Sequence, residues 1–172
     1  SGDAQCDTSS NELDARVFAR FANLPVLDPS DPEEAFHLTK QAFEISEALE
    51  LPVILNSTPR LSHTSFPIDV SGIAPMRHRA AHFQEDKPRW ICVAAASLER
   101  HRWLSQRLQE TIQRLDAFPI TSTVPGGTRL GLITSGVAHS YAVEVVRKLE
   151  LEDSVSILKV TLPYPFPEDS VQ

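Results

Sequence analysis

Cysteine is nearly missing from this chain of 172 residues, which holds only Cys6 and Cys92. The two form no C-x-x-C pair and belong to no Cys-rich run, so these residues alone build neither a disulfide framework nor an iron–sulfur centre. A reducing, cytoplasmic setting is the simplest expectation. Long apolar runs are missing too: nothing approaches the roughly 20 residues of a membrane-spanning helix. The opening SGDAQCDTSS is polar and does not read as a signal peptide. Positive charge is in short supply, with 16 Lys and Arg against 23 Asp and Glu and a formal net charge of −7. That balance argues against nucleic acid or an anionic membrane as the main partner. The sequence contains no G-x-G-x-x-G, no G-x-x-x-x-G-K-[ST], no G-x-S-x-G and no short-period repeat, which removes the familiar nucleotide-loop and hydrolase-elbow readings.

What is present is the mixture of a folded α/β protein, 41% hydrophobic and 23% charged, long enough for one ordinary domain or two small lobes. The chain is organised around Asn11–Arg60. A first helix is expected after the capping residues Asp7–Ser10, with Leu13, Val17, Phe18 and Phe21 as its apolar stripe. Pro25 limits the next strand, Leu24–Leu27, to a short one. Ser30-Asp31-Pro32-Glu33-Glu34 then reads as a helix start: Asp31 caps, Pro32 takes the first helical position and Glu34 completes a reciprocal cap. Ala35, Leu38, Ala42, Ile45 and Leu49 follow at helical spacing, with Phe36 and Phe43 widening the stripe. The helix ends by Pro52. Val53-Ile54-Leu55 is continuously apolar, as expected of a strand covered on both faces. Strand, helix and strand make a right-handed βαβ crossover.

Asn56–Arg89 breaks the pattern, with four of the thirteen prolines and three of the six histidines. It is expected to be an ordered connector lying across a surface. Trp90–Ala94 reads as a short strand or extended segment. Ser97 is expected to cap a helix to about Ala117, with Leu98, Leu104, Leu108, Ile112 and Leu115 buried and Arg100, Arg102, Arg107, Gln109 and Gln113 facing water. Thr121–Thr128 reads as a turn-rich joint at a domain boundary. Leu130–Thr134, a helix over Val137–Leu149 and Val155–Thr161 then give a second βαβ unit. No strand precedes the first helix, and Pro163–Pro167 reads as leading onward. The chain is therefore expected to begin and end within domains.

Few clusters carry chemistry by residue type. Asn11, Glu12, Asp14, Arg16 and Arg20 gather at the first helix, where a helix N-terminus and an arginine together suit a carboxylate or phosphate; capping and surface ion pairs are the simpler account. Ser135-Gly136 stands between a strand and a helix and could hold an anion on backbone amides, or be a plain βα turn. Ser135 and His139 lie one turn apart but lack an acid for a triad. His78 and His82 have the i, i+4 spacing of a metal pair, but Arg77 and Arg79 beside them oppose a cation. Arg77, Arg79, Lys87 and Arg89 form a positive run suited to an anionic partner or simply to water. No catalytic or metal-binding residue is assigned.

The stretch CDTSSNELDARVFARFANLPVLDPSDPEEAFHLTKQAFEISEALELPVIL resembles the alpha subunit of indolepyruvate:ferredoxin oxidoreductase, in the thiamine-diphosphate-dependent 2-oxoacid:ferredoxin oxidoreductase family. The resemblance rests on Ser9-Ser10, Asn11-Glu12 and Asp14-Ala15-Arg16, followed by the Pro-x-Leu-x-Pro-Ser-Asp-Pro helix start. Pro88-Arg89-Trp90 with Arg100-His101, then LGLITSGVAHSY and SVSILKVTLPYPFPE, continue it in order across nearly the whole chain. Leu13 departs from it, standing where the family commonly has glutamine.

The resemblance implies a fold of two incomplete parallel α/β lobes. Residues 1–64 would be the C-terminal part of a pyrimidine-binding domain, and 65–125 an irregular connector with one long helix (about 97–117). Residues 126–172 would start a transketolase C-terminal-like domain. It implies an enzyme that oxidatively decarboxylates an aryl 2-oxoacid to an acyl-CoA with ferredoxin as electron acceptor. Thiamine diphosphate, magnesium and iron–sulfur clusters serve the intact enzyme; none is expected on this chain alone, which should be inactive by itself. The implied partners are a second (beta) subunit, ferredoxin, CoA and the 2-oxoacid. Unfinished sheet edges could also pair copies into a homo-oligomer. Arg16 is the best match for the arginine that meets the substrate carboxylate and Arg20 the fallback; Asn11 and Glu12 also match and are taken as substrate-binding candidates, with shaping of the loop as the alternative. The competing reading is a non-catalytic interaction or scaffold module derived from such a subunit. Gene context would separate the two. A third reading, a Ser-His hydrolase, requires ester turnover lost in Ser135→Ala.

Overall fold

The sequence Ser30-Asp31-Pro32 starts a helix for the reasons its chemistry predicts. In the computed structural model, which describes residues 13–73, 82–91, 93–115, 118 and 120–168, helix α2 runs over Pro32–Leu49. Asp31 accepts a hydrogen bond from the Glu34 amide at 2.8 Å. Glu34 reaches back one residue further than expected and accepts from the amide of Ser30 at 2.7 Å. Glu50, in the left-handed conformation, ends the helix before Pro52.

Around α2 lies the first βαβ unit. Strand β1 (Val26–Leu27) pairs in parallel with β2 (Ile54–Leu55). Leu38, Ile45 and Leu49 of α2 pack with Leu27, Leu51, Ile120 and Leu162 in the main core. Coverage is one-sided, however: Val53-Ile54-Leu55 is half-buried, and Phe43 points outward. The first helix, α1 (Ala15–Ala22), is capped by Asp14. It begins later than expected and buries only Ala19. Its aromatic stripe faces out, with Phe21 88% exposed and Val17 and Phe18 also exposed.

Among its described residues the connector holds two single-turn helices, α3 (Pro59–Ser62) and α4 (Lys87–Trp90). Trp90 is therefore helical and not part of a strand, because Asp86 caps the α4 turn on the Arg89 amide at 3.2 Å. Helix α5 (Ala94–Leu115) starts before Ser97, which lies inside it. Trp103 and Leu104 pack on the main core, Thr111 is buried and Leu98 is exposed. Arg107 does not face water as expected; its side chain is mostly buried and meets Glu50 and Glu110. The side chains of Ile112 and Leu115 lie outside the described residues.

The second unit is a mixed sheet in the order β3-β5-β4. Strand β4 (Leu130–Thr134), helix α6 (Val137–Lys148) and strand β5 (Val155–Val160) form the expected crossover, with β4 and β5 parallel. The proposed joint is partly a strand: β3 (Thr121–Val124) runs antiparallel to β5. Its β-branched Thr121, Thr123 and Val124 suit a strand, and only Pro125-Gly126-Gly127 turns. The apolar run Leu130–Thr134 reads as a strand buried on both faces, but β4 is an exposed edge, with Leu130 and Ile133 open.

After β5 the chain returns along β1. The Val26 amide donates to the Tyr164 carbonyl and the Asp28 amide to the Thr161 carbonyl, both at 2.9 Å. Among the described residues, no helix is long and apolar enough to cross a membrane.

Candidate functional site

Strands β1, β2 and β4 end near one another, and the residues just past their C-terminal ends are Asp28, Asn56 and Ser135. Crevices beyond the carboxyl ends of parallel strands are where α/β sheets bind ligands. Here a cavity of about 190 Å³ is lined by Arg16, Asp28, Asn56, Thr58, Ser135 and Tyr141, with Asp14, Leu13, Val137 and Ala138 completing the wall.

Asp28 is the hub. It is 2% exposed. Its Oδ2 accepts from the Ser135 hydroxyl at 2.9 Å, and its Oδ1 accepts from Asn56 Nδ2 at 2.8 Å. Gly136, the N-cap of α6, has φ +55°. A Cβ there would meet the Asp28 carboxylate at 2.6–2.7 Å. Asp28 thus approaches the positive end of α6, where an external anion was considered, and supplies the negative charge from within the chain. Ser135 spends its proton on Asp28. His139 Nδ1 instead meets Thr134 Oγ1 at 3.0 Å. The two residues do not form a catalytic dyad.

Arg16 enters the cavity from α1. Asp14 holds its Nε and Nη2 by two hydrogen bonds of 2.9 Å each, a fork geometry that fixes the guanidinium plane. Its Nη1 is 3.6 Å from Asp28 Oδ2, an ion pair beyond hydrogen-bond length. The Arg16 guanidinium lowers the Asp14 pKa, and hydrogen bonding to Asp14 raises that of Arg16. Arg20, on the same helix, is exposed and does not line the cavity. Asn11 and Glu12 lie outside the described residues, as do Arg77, His78 and Arg79. Lys87 pairs with Glu85, and Arg89 with Glu50.

Sequence reasoning missed Asp28, Asn56 and Tyr141. Asp28 read as part of a helix-start run, and Asn56 as the first residue of a polar connector. For these two the available signal was positional, since each directly follows a short apolar strand; Tyr141 lies inside α6.

Behind this cavity, Lys159 of β5 is buried and pairs with Glu34. Its Nζ also donates to Ser30 Oγ at 2.8 Å. Thr161 Oγ1 donates to Glu34 at 3.2 Å, and Ser140 Oγ to the Ser30 carbonyl at 3.0 Å. This network fastens α2 to the second sheet. Burial first, and then the Lys159 charge, lower the pKa of nearby His139.

The cavity does not suit a diphosphate. Two carboxylates face one guanidinium, and Asp28 already faces the α6 N-terminus. Among the described residues, no cluster of three or more His, Cys, Asp or Glu could hold a metal ion. What the lining offers a ligand is Arg16 Nη1, the one guanidinium nitrogen that Asp14 does not hold, beside the Tyr141 ring and the oxygens of Asp28 and Ser135.

No protein-family model matches the chain. Curated relatives do. The chain is 36% identical over 167 residues to the indolepyruvate oxidoreductase subunit IorA of Methanothermobacter thermautotrophicus. It is 35% identical over 167 residues to that of Thermococcus kodakarensis, and 32% over 166 residues to that of Pyrococcus abyssi. These matches cover 93–96% of this chain and 25–26% of the relatives. The chain therefore spans about a quarter of the length of the curated relatives it matches.

Proposed function

This chain is a relative, over nearly its whole length, of the indolepyruvate oxidoreductase IorA subunits, and from that premise we propose that it serves an oxidoreductase acting on aryl 2-oxoacids of the indolepyruvate kind. The observation that carries the reading is Arg16. It matches the Asp-x-Arg pattern named above, and it lines a cavity at the carboxyl ends of β1, β2 and β4.

In this proposal Arg16 holds the 2-oxoacid carboxylate. Asp14 occupies the Nε and Nη2 edge of the guanidinium, which leaves Nη1 for the substrate and sets the plane in which it lies. The apolar wall of Leu13, Val137 and Ala138, with Tyr141, receives the aryl group and keeps water from it. Thiamine diphosphate supplies the nucleophilic carbon of such reactions. In this proposal the cofactor and its magnesium belong to the intact subunit, of whose relatives this chain spans about a quarter. Two cysteines are too few for an iron–sulfur cluster. The second subunit, ferredoxin as acceptor and CoA as co-substrate complete the proposal.

The test is ferredoxin reduction driven by indolepyruvate, in the full-length subunit assembled with its partner. Arg16→Ala is expected to raise KM for the 2-oxoacid by about 10- to 100-fold, the worth of a hydrogen bond between charged groups, with cofactor affinity unchanged. An unchanged KM removes Arg16 from the site.

A further inference from the structure

Beside the cavity an arginine lies over an aromatic ring. Arg60 belongs to α3, the single turn that follows the end of β2. Its guanidinium carbon stands 4.8 Å from the centroid of the Tyr141 ring, within the roughly 6 Å reach of a cation–π contact. Tyr141 is on α6 and lines the cavity together with Arg16 and Thr58. Arg60 comes two residues after Thr58. The contact therefore reaches from the first crossover to the second where their strands end.

The turn that carries Arg60 is anchored. Pro59 and Leu61 on either side of it are buried. Thr58 caps the turn on the Leu61 amide at 3.4 Å. Ser62 Oγ donates to the Thr58 carbonyl at 3.0 Å, and Thr64 Oγ1 to the carbonyl of Arg60 itself at 2.6 Å. The Arg60 side chain is exposed and has no ion-pair partner among the described residues. Its charge is held in place by the ring and is not neutralised.

The charged lining of the cavity is Asp14, Asp28 and Arg16, two negative groups against one positive. An anion drawn to Arg16 Nη1 also meets the Asp28 carboxylate, whose Oδ2 is 3.6 Å from that nitrogen, and like charges at such range repel. Arg60 evens the count. A cation held on the wall of a cleft acts on an entering anion without touching it, over a Debye length of about 10 Å at 0.1 M salt.

We propose that Arg60 is a positioning residue of the 2-oxoacid site: it fixes the Tyr141 ring in the cavity wall and supplies the positive charge that offsets the second carboxylate when an anionic ligand enters. The inference rests on the reading of the cavity as a 2-oxoacid site.

The experiment measures KM for indolepyruvate by ferredoxin reduction, at low and high salt, in the full-length subunit assembled with its partner. Arg60→Met, which keeps the length and loses the charge, is expected to raise KM by about 3- to 10-fold and to lower kcat by less. Arg60→Lys keeps a cation over the ring and is expected to recover most of the loss. The rise should shrink as salt is added. In a Tyr141→Leu background Arg60→Met should cost less than it does alone, because the ring that holds the charge is gone. An unchanged KM in Arg60→Met, while Arg16→Ala raises it, overturns the Arg60 role and leaves the 2-oxoacid reading standing. A loss that Arg60→Lys does not recover also overturns it, since the charge is then not the cause. An unchanged KM in both Arg60→Met and Arg16→Ala overturns both readings.

Discussion

A single carboxylate, Asp28, joins three segments far apart in sequence: Arg16 before it, Asn56 after β2 and Ser135 at the head of α6. Its closest constraint is Gly136. An added methyl group there would clash with the carboxylate, and a φ of +55° is strained for any other L-residue. Gly136→Ala is expected to lower the unfolding free energy by about 2–4 kcal/mol, read from urea denaturation. His139 gives a pH dependence. Burial and Lys159 hold its pKa below the ordinary value, so the folded state favours the neutral ring. Its contribution is full above the unfolded pKa of about 6.5 and is lost as pH falls through that value and then through the lower folded one. The melting temperature should drop as pH falls from neutrality toward 5, and His139→Gln should flatten that slope. At this scale the sequence was partly legible. Arg16, which lines the cavity, was singled out because its pattern is local. Asp28 and Asn56 were not, since their roles depend on partners that no local period encodes.

Among the elements, α2 shows how a cap becomes a joint. Glu34 closes the N-terminus of α2 through Ser30 and also accepts the buried Lys159 ammonium of β5. Removing one partner leaves the other charge buried. Glu34→Ala is expected to cost about 3–5 kcal/mol, and the double change Glu34→Leu with Lys159→Met to recover most of it. Thermal unfolding of the single and double variants checks this, and additive losses would show that the pair is not coupled. Helices α2 and α6 and both crossovers were legible from their periods, because apolar spacing and cap chemistry agree there. The readings that failed did so where periodicity does not report burial. The stripe on α1 is helical but faces outward. Trp90-Ile91 is apolar but follows an Asp86 cap. Strand β3 was hidden by the Pro-Gly-Gly turn that follows it.

Across the whole molecule, apolar surface remains open on α1, on the β2 side of α2 and along β4. Val17, Phe18, Phe21, Phe43, Leu130 and Ile133 are all exposed. Open sheet edges beside exposed aromatics favour association. The isolated 172-residue chain is expected to self-associate with rising concentration. Phe21→Ser together with Phe43→Ser should shift its sedimentation toward the monomer, and a concentration-independent monomeric wild type would contradict this.

The segment that returns along β1 has a consequence for how the chain is made. Tyr164 donates its hydroxyl to Asn23 at 3.1 Å from a position 141 residues later, and Leu162 is wholly buried in the core built on α2. During synthesis the first crossover emerges from the ribosome with one edge of β1 unpaired and one place in its core unfilled. From Leu55, where the crossover ends, to Tyr164 is 109 residues, so at about 5–20 residues per second the wait is roughly 5–22 s. A nascent chain halted before Leu162 should therefore be degraded by protease throughout, and resistance should appear across Val26–Leu55 only once Tyr164 has cleared the exit tunnel.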